Sequence, residues 1–75
     1  MVAKIKRGER NVMAMVVSDV SFTPDRAEIY FHRESESLAV FENLKKMKVS
    51  CERFRHTNKG SVVIIYDREI SISVK

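Results

Sequence analysis

His32, Cys51 and His56 are the residues of this chain able to bind a soft metal or attack a substrate. A structural zinc site usually takes four ligands at paired short spacings. Here Cys51 and His56 lie five positions apart, His32 stands far upstream, and Glu34 or Glu52 would have to complete the set. A nucleophilic Cys51 needs a nearby base and a lowered pKa. On one strand, however, Cys51 and His56 have opposite parity and point to opposite faces unless a bulge intervenes. Cys51 reads as a small core hydrophobe instead. His56, Glu52, Arg53 and Tyr66 together contain the acid, base and phosphate-stabilising groups of a small ribonuclease. A solvated charged face accounts for the same residues. Gly8 and Gly60 are the only glycines, so there is no Gly-rich loop to cradle a phosphate. The pattern predicts no metal and no cofactor, and it favours binding over catalysis.

Charge is the more informative signal. The formal net charge is +4, but it is unevenly distributed. Residues 1–10 balance to +3, residues 11–44 to −4 and residues 45–60 to +5. The second basic segment contains Lys45, Lys46, Lys48, Arg53, Arg55 and Lys59, with Phe54 and His56 among them. These six cations are the expected binding residues, and Lys4, Lys6, Arg7 and Arg10 are placed to extend them. Such a surface attracts the phosphates of DNA or RNA with little sequence preference. Tyr30 and His32, if exposed, offer rings on which bases stack. The lysines also complement a helix dipole, and basic hairpin tips keep sheet edges from pairing. The weight therefore falls on Arg53, Arg55 and Lys59. The acidic middle, with Glu28, Glu34, Glu36 and Glu42, supports a different function. It suits a protein-interaction module, a small regulator or inhibitor that meets a basic partner or a second copy.

The elements that must position these residues read as follows. Val2–Arg7 suits a short edge strand. Val12–Phe22 reads as one long strand, apolar on both faces until Val17. Thr23-Pro24-Asp25-Arg26 is a turn, because Pro24 presets φ at its second position. Ala27–Arg33 returns as a strand. A helix follows, capped by Ser35 or Ser37, with Val40, Phe41, Leu44 and Met47 on its apolar arc and Leu38 on the shoulder. Glu42 is spaced to pair with Lys45 or Lys46. Val49–Thr57 and Ser61–Tyr66 form a hairpin around Asn58-Lys59-Gly60. The end of the chain is either a third hairpin arm turning at Asp67-Arg68 or one long bent strand. The predicted fold class is α+β: one antiparallel sheet of four to six strands with an amphipathic helix on one face, in the order β-β-α-β-β(-β).

The length of 75 residues bounds the rest. It predicts a single domain, 1–75, with a marginal core. Cys51 is the lone cysteine, so no internal disulfide staples it. A free thiol points to a reducing compartment, hence a cytoplasmic location. No signal peptide and no membrane-spanning run is apparent. Marginal size and an apolar surplus around Met13, Met15 and Val17 predict a homodimer.

Overall fold

Alternation of apolar and charged residues builds the first hairpin. The computed structural model describes residues 1–75, with strand β1 at Val2–Arg7 and β2 at Arg10–Val16. Ala3 and Ile5 are buried while Lys4 and Lys6 are exposed, as expected of a strand with one wet face. Gly8 turns the chain at φ 62°, the positive φ a two-residue hairpin loop of type II′ needs at its first position.

The long strand expected over Val12–Phe22 is two strands in different sheets. β2 ends at Val16, the chain bends at Val17 and Ser18, and β3 spans Asp19–Thr23. Val17 is fully buried at this corner. Its N–H donates to the Met1 carbonyl at 2.9 Å, and the Ser18 N–H donates to Tyr30 at 2.8 Å. The corner thus satisfies its own backbone while the chain changes sheet. The two-residue turn Pro24-Asp25 then leads into β4, Arg26–Phe31. The Thr23 hydroxyl closes this turn by donating to Asp25 at 2.7 Å.

Helix α1 covers Glu34–Lys46. Its N-cap is Arg33, not Ser35 or Ser37. The Glu36 carboxylate accepts the Arg33 N–H at 3.2 Å, one half of a capping box. Ser37 lies inside the first turn, donates to the Glu34 carbonyl at 2.7 Å and bonds the Ser61 hydroxyl. Val40 and Leu44 are buried as the apolar arc required, and Phe41 and Met47 are half-buried.

β5, Cys51–Thr57, and β6, Gly60–Ile65, form the second hairpin, with Gly60 at φ 99°. Ser61 through Ile65 are all buried, as a central strand demands. β7, Ile70–Val74, is neither a third hairpin arm nor a continuation of β6. It crosses over and pairs antiparallel with β1, Ile72 facing Ile5. Asp67 accounts for the departure: its carboxylate accepts the Glu69 N–H at 2.9 Å and its carbonyl accepts the Ile70 N–H at 3.2 Å. This turn aims β7 at the open edge of β1.

The chain is therefore α+β with two antiparallel sheets, ordered β2-β1-β7 and β3-β4-β6-β5, instead of one. Four strands precede the helix and three follow it. The helix packs on the inner face of the four-stranded sheet, and the small sheet closes the rest of the same core. Met13, Met15, Ile70 and Ile72 pack against that core, so the apolar surplus is covered within the chain. No helix is long and apolar enough to cross a membrane.

Candidate nucleic-acid interface

The six expected binding residues fall into two groups. Ser37 touches Ser61 at the N-terminal end of α1, beside Arg53 and Arg55. Lys45, Lys46 and Lys48 lie at its other end. Thirteen helical residues separate the two groups by about 18 Å. Arg53 is only 14% exposed, lies 3.8 Å from the Glu34 carboxylate and donates to the Ser37 hydroxyl at 3.4 Å. Arg55 donates to the same carboxylate, and that hydrogen bond holds the Glu34 carboxyl below its usual range. Lys59 lies 3.6 Å from Asp19 and 5.3 Å from the centre of the Tyr30 ring. Three of the six are thus engaged with carboxylates of their own chain. Lys45, Lys46 and Lys48 are exposed and free of ion pairs, and the expected Glu42 pairing is not formed. Lys45 sits over the Phe41 ring instead, at 5.5 Å.

Arg7 organises the end where the free lysines lie. Its Nη1 donates to the Met47 carbonyl at 2.9 Å, its Nη2 lies 3.3 Å from Asp67, and its Nε lies 3.6 Å from Glu69. Arg7 is therefore a structural clamp and not an extension of a binding surface. The clamp draws the β1–β2 turn against the C-terminus of α1. That turn carries Lys6 and Arg10, both exposed and unpaired. On the outer face of the small sheet Lys4 is flanked by Ala14 and Ser73, and Lys6 by Asn11 and Ser71. No carboxylate stands in either row. Glu9 is the acid of the turn, while Asp67 and Glu69 are held by Arg7.

Lys48 has an unusual backbone. The Val49 N–H donates to Leu44 and the Lys48 N–H to Lys45, each at 3.0 Å. This is a Schellman motif, whose left-handed position is normally glycine. Lys48 occupies it at φ 60°. A side chain there costs of order 1 kcal/mol, and the motif presents the Lys48 ammonium on a fixed backbone.

The other chemically interesting residues are dispersed. Burial pushes the Cys51 thiol above its ordinary range, opposite to what a nucleophile needs. No three His, Cys, Asp or Glu side chains are placed to hold a metal. The Tyr66 N–H bonds Ser50 at one end of β5, about 20 Å from His56 at 3.3 Å per residue. The ribonuclease set is therefore not assembled. Tyr30 and Phe54 flank Val62 on the outer face of the four-stranded sheet. Lys59 covers Tyr30, and Asp19, Glu28 and Glu52 share that face, so it does not favour phosphate. Sequence spacing put Arg53, Arg55 and Lys59 first because their carboxylate partners are 19 to 40 residues away in the chain. The tie between the β1–β2 hairpin and the helix end rests on the Arg7–Met47 contact, which no local pattern announces.

Comparison with models of known families, with curated proteins and with solved structures finds no match.

Proposed function

We propose that this chain is a small nucleic-acid-binding module that grips phosphates with the cations gathered around Arg7. Lys45, Lys46 and Lys48 form the main part of the surface and Arg10, the register partner of Arg7, borders it, while Lys4 and Lys6 add positive charge on the outer face of the small sheet. The observation that carries this reading is the division of the cations. Those at the Arg7 end are free of ion pairs, and Arg53, Arg55 and Lys59 at the far end are engaged by Glu34 and Asp19. An unpaired ammonium meets a phosphate without first breaking an internal ion pair. Binding of this kind is driven by counterion release and is weakly selective for sequence.

The test is a salt titration of the affinity for mixed-sequence DNA and RNA. With roughly five phosphates engaged, log K against log salt falls with a slope of about −3.5 on a single strand and −4.5 on a duplex. Replacing Lys45, Lys46 and Lys48 together by Gln flattens the slope by about two to three. Arg53→Gln with Arg55→Gln leaves it nearly unchanged. A wild-type protein that retards neither nucleic acid at 20 mM salt, taken as roughly the low-salt limit, overturns the reading.

A further inference from the structure

A cleft of about 230 Å³ opens beside the Arg7 end, between the Pro24-Asp25 turn and β7. We propose that it receives one unstacked base of a single-stranded nucleic acid. The inference rests on the phosphate-binding reading and deepens it by naming the form of the ligand.

No residue of α1 lines the cleft. Its walls are Ala27 and Ile65 from one sheet and Ile70 and Ile72 from the other. Phe22 stands at its side, 58% exposed. An aromatic ring lining a half-apolar cleft with polar groups at its rim is an arrangement on which an unpaired base can stack. The volume equals about seven or eight waters at ~30 Å³ each, which suits a single ring system and not a base pair.

Charge at the mouth fits the same ligand. Asp67 is held by Arg7, and Arg26 lies 3.0 Å from Glu28. Asp25 accepts the Thr23 hydroxyl, and Arg26 and Arg68 help hold its carboxyl low. Arg68 is exposed and makes no ion pair. It is the cation left for the phosphate that accompanies the base. The cleft also adjoins the proposed phosphate surface directly. Ile70 is the register partner of Arg7, and Asp67 on the rim is bound by Arg7. Arg10, Arg7 and Ile70 are in register across the small sheet, so a strand whose phosphates meet Arg10 can reach its mouth.

The experiment measures binding of a fluorescent mixed-sequence 12-mer, alone and annealed to its complement, at matched low salt. The single strand is expected to bind more tightly than the duplex. Phe22→Ala weakens the single strand about tenfold and leaves the duplex unchanged. Arg68→Gln weakens the single strand several-fold. Phe22 is largely exposed, so the variant keeps the fold, as its circular dichroism and Tm will verify. Methyl NMR gives a second readout: the Ile65, Ile70 and Ile72 signals shift with the single strand and stay in place with the duplex. Equal, salt-sensitive binding of both forms that Phe22→Ala does not alter overturns the base site and spares the phosphate surface. Binding of neither form removes both.

Discussion

Arg7 donates through Nη1 to the Met47 carbonyl at 2.9 Å, so the first strand holds the last turn of the helix. The same guanidinium meets Asp67, whose side chain is only 17% exposed, at 3.3 Å. One side chain thereby joins β1, α1 and the β6–β7 turn. Hydrogen bonds involving a charged group contribute about 1.5–3 kcal/mol. Removing one partner also leaves the other desolvated and unpaired. Arg7→Ala is expected to destabilise the fold by about 2–3 kcal/mol in denaturant titration. Arg7→Lys recovers only part of this, since one ammonium cannot reproduce the guanidinium's spread of donors. A loss below about 0.5 kcal/mol, the range of an ordinary surface change, would reduce Arg7 to a surface residue.

Lys48 gives a prediction of opposite sign for stability and for binding. Its left-handed backbone disfavours every residue with a Cβ. Lys48→Gly relieves that strain but gives the unfolded chain more freedom, leaving a net gain of about 0.5–1 kcal/mol. The same change removes a cation from the proposed surface, lowering the salt slope of binding by about one. Thermal melts and anisotropy on one preparation check both halves. A glycine variant that melts lower than wild type would show that the strain is offset by contacts of the lysine stem.

The Glu34 ion pairs set an acid-dependent contribution. The Arg55 hydrogen bond, with the fields of Arg55, Arg53 and His56 behind it, holds the Glu34 carboxyl below its ordinary value of 4.5. The folded pKa therefore lies below the unfolded one. The contribution is fully present above the unfolded value and is lost as pH falls through the folded one. Melting curves of wild type and Glu34→Gln should differ most at neutral pH and converge as pH falls below the ordinary carboxylate range. The variant also frees Arg53 and Arg55, so its affinity for nucleic acid should rise. Curves that stay parallel down to pH 2 would mean that the pair contributes nothing to folding.

Local patterns in the chain reach as far as single elements. Period-two alternation marks β1 and β4, Thr23-Pro24-Asp25-Arg26 and Asn58-Lys59-Gly60 mark two of the turns, and Val40 and Leu44 mark the buried arc of the helix. Pairing partners are less legible. An apolar residue such as Val17 looks the same in mid-strand and at a corner between sheets, and only Asp67 hints that β7 leaves β6. The site suffers in the same way. Lys48 and Arg53 are five positions apart and similar in type. What separates a free cation from a committed one is Glu34, brought back by the fold.

Cys51 tests the core most directly. Burial raises its thiol pKa above the ordinary 9.0, with the Lys45 charge acting weakly the other way. Above about pH 9 the unfolded chain loses this proton while the folded chain keeps it. Stability is therefore expected to fall as pH rises past 9, and Cys51→Ser should flatten that alkaline limb. The thiol reacts as the thiolate, so iodoacetamide should label Cys51 at pH 8 only as fast as the protein opens. Labelling should accelerate by orders of magnitude in urea above the unfolding midpoint. A thiol that reacts at the rate of a free peptide in native buffer would place Cys51 outside the core, and with it the packing of β5 beneath α1.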